Sequence, residues 1–98
     1  MKIKISIHKS KVPYEELMDA CRKDAPLFNE MALEWKMWLV NKEEGLIGGI
    51  YYFEDEETYK KSEEPKREKS YLLPLIENVY SQIFDVNEEL SKFNKAPI

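Results

Sequence analysis

The stretch ALEWKMWLVNKEEGLIGGIYYFED, residues 32–55, decides the fold. Two runs rich in β-branched and aromatic residues, 32–40 and Leu46–Glu54, flank the turn material Asn41-Lys42-Glu43-Glu44-Gly45, which predicts an antiparallel hairpin. Both alternating sets of the first run are bulky: Leu33, Trp35, Met37 and Leu39 on one side, Trp38 and Val40 on the other. The second run sets Tyr51 and Phe53 against Ile50 and Tyr52. A sheet apolar on both faces needs two covers. The second run also keeps Gly48 and Gly49 where side chains would ordinarily pack. Glycine inside a strand costs entropy and packs nothing, so the pair predicts a bulge or a close approach to the backbone. Alternation assigns Gly49 to the helix side, beside Trp35 and Tyr51, with room for an indole or a flat ligand. Gly48 then permits tight closure on the other face.

Outward from the hairpin, Lys2 to His8 alternates with period two, which predicts a strand with Ile3, Ile5 and Ile7 on one buried face. Pro13 starts a helix whose stripe is Tyr14, Leu17, Met18 and Cys21, and Pro26 ends or breaks it. Asp55 is a good N-cap for a charged segment, 56–77, read as two short helical pieces kinked at Pro65 and stopped by Pro74. A fourth strand, Val79–Val86, precedes the tail 87–98, whose Leu90, Phe93 and Ile98 predict packing on the domain or on a partner. The order β-α-β-β-α-β is the ferredoxin-like plan: α+β, a four-stranded antiparallel sheet with both helices on one face. The helices cover one apolar face, and a second copy of the chain is the expected cover for the other, hence a homodimer.

The 98 residues suit one domain. Fifteen Lys plus Arg against nineteen Asp plus Glu leave a net charge of −4. No basic stripe is present, so a nucleic-acid partner is not expected. A single cysteine excludes an internal disulfide and a multi-cysteine metal site, and no metal-ligand spacing occurs elsewhere. No apolar run of membrane length is present, and a cytoplasmic setting with no membrane partner is the simplest expectation. The glycines lack phosphate-loop spacing.

Three separated motifs carry a resemblance: Glu34-Trp35-Lys36-Met37-Trp38; Gly48-Gly49-Ile50-Tyr51-Tyr52-Phe53-Glu54-Asp55; and Phe84-Asp85-Val86-Asn87-Glu88-Glu89-Leu90-Ser91 with a closing Lys95-Ala96-Pro97. In these the chain resembles the YdhR-like mono-oxygenases, small dimeric α+β barrels related to the antibiotic-biosynthesis mono-oxygenases. Relatives often carry a His in the second helix. Ser62-Glu63-Glu64-Pro65-Lys66-Arg67-Glu68 has none, which speaks against the haem-degrading relatives.

The resemblance implies a mono-oxygenase that needs no cofactor and takes a small aromatic, phenol- or quinol-like substrate, which a base deprotonates in a water-poor pocket. Trp35, Met37, Gly49 and Phe53 are the candidate substrate-binding residues, although such residues serve equally well as core. Tyr51 and His8 are the candidate catalytic groups: a buried phenol needs a partner, and His8 alone titrates near neutrality unperturbed. Lys36 and Glu34 read as an ion pair, as surface residues or as a polar element of the site, and Cys21 as inert core. The alternatives are a non-catalytic barrel that binds a small hydrophobic molecule, and an isomerase or lyase of the same superfamily.

Overall fold

The computed structural model describes residues 1–98. The elements are β1 (Lys2–Ser10), α1 (Tyr14–Phe28), β2 (Trp35–Asn41), β3 (Leu46–Phe53), α2 (Glu56–Lys69), β4 (Ile76–Asp85) and a short α3 (Glu88–Phe93), with a single 3₁₀ turn at Leu73–Leu75. The sheet is antiparallel throughout, in the order β2-β3-β1-β4. This is the β-α-β-β-α-β plan with a helical tail. The hairpin turns at Gly45, whose φ of +66° is a left-handed conformation that glycine adopts without strain. No helix is long and apolar enough to cross a membrane.

The prolines did not interrupt as expected. Pro26 and Pro65 both lie inside continuous helices. Each removes a hydrogen bond to the carbonyl four residues earlier, on Arg22 or Lys61. Both of those residues are exposed, so water can take the freed carbonyl. Helix α2 is further held by Asp55 accepting from the Glu57 amide, and by the pairs Lys60–Glu56 (2.9 Å), Lys61–Glu57 (3.3 Å) and Arg67–Glu63 (2.8 Å). The apolar residues after Lys69 form the 3₁₀ turn rather than a second helical piece. β4 therefore begins at Ile76, three residues before Val79.

Register corrects one face of β1. Ile3, Ile5 and Ile7 pair with Tyr52, Ile50 and Gly48, while Lys4, Ser6 and His8 pair with Tyr51, Gly49 and Ile47. Directly paired residues share a face. Tyr51 and Ile47 pack under the helices, so the polar set of β1 points toward the helices and the three isoleucines point away. The inward side is occupied by side chains that satisfy one another, such as Lys4 with Glu63 (3.0 Å) and Ser6 with Ser81 (3.0 Å). The outward side gathers Ile3, Ile5, Ile7, Ile50, Tyr52, Trp35 and Met37, together with Tyr80 and Phe84 of β4.

Under the helices the core has two parts. Leu17, Ala20 and Cys21 of α1 close on Ile47, Leu72 and Ile76, while Phe28 and Met31 meet Phe53 and Tyr59. Trp38 packs against both. In the tail, Leu90 and Phe93 stand 59% and 83% exposed, so these two do not cover their own domain.

Candidate active site

β2 and β3 pair so that Lys36 lies opposite Tyr51 and Trp38 opposite Gly49, all on the helix side. Helix α1 ends above them with Phe28. The Lys36 ammonium nitrogen sits 4.0 Å from the centre of the Trp38 ring, 4.1 Å from that of Tyr51 and 4.2 Å from that of Phe28. The rings brace one another, Phe28 standing edge-on to Trp38 at 5.3 Å and tilted against Tyr51 at 5.9 Å. Gly49 completes the socket. A β-carbon there would fall on Lys36 Nζ and would press the Tyr51 ring at 3.1 Å and the Met37 carbonyl at 3.2 Å. What approaches the strand backbone at the second glycine is an amine.

Lys36 makes no ion pair and no hydrogen bond with Glu34 or any other residue, and its nitrogen keeps some contact with solvent. Burial, with the Lys66 ammonium nearby as the next cause, pulls its pKa from 10.5 down to about 7. The ring faces favour the cation and resist that pull. A lysine so poised exchanges a proton near neutral pH, as a general base must.

A cavity of about 450 Å³ opens on this amine between the C-terminal half of α1 and β2. Arg22, Ala25, Pro26, Phe28 and Asn29 line it from α1 and the residue after it, and Leu33, Glu34, Trp35, Lys36 and Trp38 from the β2 side. Behind Trp38 lies a smaller apolar cavity of about 190 Å³ between Met18, Cys21, Val40 and Ile47. The larger is of the size that small-molecule sites have, with walls shared between apolar residues and the polar Arg22, Asn29, Glu34 and Lys36.

The residues singled out from sequence are only partly brought together. Gly49 and Tyr51 form the floor of the socket, and Trp35 borders the cavity while its ring stacks on Tyr52 at 4.9 Å. Met37 points to the opposite face and is 48% exposed. Phe53 is core, stacked on Tyr59 at 4.2 Å. Gly49 therefore stands beside Trp38 and Lys36, not beside Trp35. Gly48 serves β1: a β-carbon there would meet the Ser6 carbonyl and Ile7.

Burial, reinforced by Glu63, pushes the Tyr51 phenol well above its ordinary range, so it can donate a hydrogen bond but cannot serve as a base near neutrality. His8 lies four residues along β1 from Lys4, roughly 13 Å at the strand rise, and lines neither cavity. It accepts from the Asn78 amide at 3.2 Å, and burial followed by the Lys4 charge lowers its pKa. Burial pushes the Cys21 thiol up, as inert core requires. Sequence reasoning undervalued Lys36. Its signal was a lysine directly across the hairpin from an aromatic and two residues from the tryptophan that faces Gly49, legible only once the register is known.

A second polar cluster flanks the socket. Glu63 accepts from Lys4 (3.0 Å), Tyr59 (3.0 Å) and Arg67 (2.8 Å). Burial alone would raise this carboxyl, but the hydrogen bond and charge of Lys4, with Tyr59 and Arg67, hold it below its ordinary value. No group of three His, Cys, Asp or Glu side chains is placed to hold a metal ion.

A family model described as "Putative mono-oxygenase ydhR" matches residues 3–97. No curated protein matches the chain. Among solved structures, the chain is similar to SnoaB, a cofactor-independent oxygenase from Streptomyces nogalater. The TM-score is 0.70 and the identity 11%, over 88% of this chain and 92% of that one. It is also similar to a mutant of the same oxygenase, with TM-score 0.66 and identity 11% over 88% and 93%. At that identity the likeness is one of fold.

Proposed function

The chain belongs to the YdhR mono-oxygenase family, and from that premise we propose that it oxygenates a small hydroxyarene without a cofactor, with Lys36 as the base. The observation that carries this reading is the unpaired amine of Lys36, held over Gly49 by three rings at the wall of a 450 Å³ cavity. The neutral amine takes the phenolic proton, and the ammonium so formed stays beside the phenolate. The electron-rich ring then reduces O₂: one oxygen atom becomes a ring carbonyl, the other leaves as water, and the substrate supplies all four electrons. Trp38 and Phe28 keep the ring flat against the wall and restrict water.

Oxygen uptake with 1-naphthol in chelated buffer tests this. The expected result is one O₂ consumed per quinone formed. Binding without uptake would leave a binding protein, and conversion without uptake an isomerase or lyase.

The working unit is proposed to be a homodimer that buries the outward face of the sheet. Met37, Tyr80 and Phe84 are 48%, 45% and 41% exposed there, beside Trp35, Ile5 and Ile50. A stable interface of about 1,500 Å² in total is expected. Light scattering at micromolar concentration should give twice the chain mass, and a monomer mass would remove the proposal.

A further inference from the structure

Lys36 is not the only uncompensated cation at the socket. Lys66 of α2 reaches over the same Phe28 ring, its nitrogen 4.3 Å from the centre against 4.2 Å for Lys36. Lys66 is half-buried and, like Lys36, appears in no ion pair. The two carboxylates that could have balanced them are committed elsewhere. Asp24 of α1 is fully buried and accepts from the Ser70 hydroxyl and from the Tyr71 amide at 2.7 Å. Glu63 of α2 is taken by Lys4, Tyr59 and Arg67. At the cavity mouth Arg22 is bound to Asp19 (3.3 Å), and Glu34 is exposed. Two partly desolvated lysine nitrogens face one ring and neither is paired with an anion, an arrangement that folding alone does not favour. Its compensation is naturally a ligand.

We infer that the substrate is an aromatic acid, a hydroxyarene bearing a carboxylate, whose charge Lys66 favours from across Phe28 while the Lys36 amine faces the hydroxyl. This rests on the reading of the cavity as the active site. A carboxylate there turns the cost of the half-buried Lys66 cation into attraction, and Lys66 stabilises it through the low-dielectric ring without having to reach the cavity.

Anaerobic equilibrium dialysis of the whole protein reads binding apart from turnover, with 1-hydroxy-2-naphthoate and 1-naphthol as probes. At pH 7 the acid should bind at least tenfold more tightly, with the advantage shrinking in 0.5 M NaCl. Lys66→Gln should weaken the acid about fivefold and leave 1-naphthol within twofold. Equal affinity for the two probes, no binding of either, or a Lys66→Gln variant that weakens both alike would overturn the inference. Preference for the acid without oxygen uptake would uphold the anion site while removing the oxygenase reading.

Discussion

Lys36→Met is expected to lower oxygen uptake by two to four orders of magnitude, the usual worth of a general base, and at the same time to stabilise the fold. The two effects have one cause. A folded pKa of about 7 against 10.5 when unfolded means that the unfolded chain binds more protons between those values. Stability of the natural protein therefore rises as pH increases from about 7 toward 10.5, and the cost is fully present below 7. Its size is a few kcal/mol, reduced by the solvent the amine still meets. Lys66, also lowered, acts in the same direction. Tyr51 and Tyr59 act the other way: their raised phenols contribute stability that is lost as pH climbs past the ordinary tyrosine value of 10. The natural protein should be most stable on the alkaline side of neutrality. Methionine keeps the length of the lysine and suits an aromatic socket, so the variant should gain about 1–3 kcal/mol at pH 6 and little near pH 10. Chemical denaturation across that range checks the slope. Turnover of the natural protein should rise through pH 7 and then level. Lys36→Arg keeps the charge and cannot shed it, and should be inactive throughout. An active Lys36→Arg variant would show that the cation, not the base, matters.

Gly49→Ala should disable the site almost as thoroughly without touching a titratable group. The added methyl takes the position of Lys36 Nζ. The lysine is flexible and can swing out, whereas the Met37 carbonyl cannot move far. The expected outcome is a folded protein whose Lys36 has returned to solvent and to an ordinary lysine pKa. Uptake should fall at least a hundredfold. Acylation at pH 7, which selects free amines, should mark Lys36 in the natural protein and lose that selectivity in the variant. Gly49→Val adds branches against Tyr51 and the Met37 carbonyl and should cost about 1–3 kcal/mol as overpacking. Unchanged labelling of Lys36 in Gly49→Ala would show that the glycine does not build the socket.

By itself the sequence determined the element order, the antiparallel hairpin, the Asp55 cap, the two-sided apolar sheet and the family. Each is written locally, in period-two alternation, turn residues and a capping carboxylate, or in motifs that keep their order. It also announced that something comes close at Gly48 and Gly49. What comes close was decided only in three dimensions, because strand pairing sets which alternating set meets which. One register puts Lys36 opposite Tyr51 and Trp38 opposite Gly49, and sends Met37 to the far face. Pairing likewise turned the polar set of β1 inward, and solvent exposure of the freed carbonyls let two helices continue through Pro26 and Pro65. The base was the least legible feature. A lysine reads as surface in any sequence, and only burial among three rings, with the Lys66 charge close by, brings its pKa to about 7.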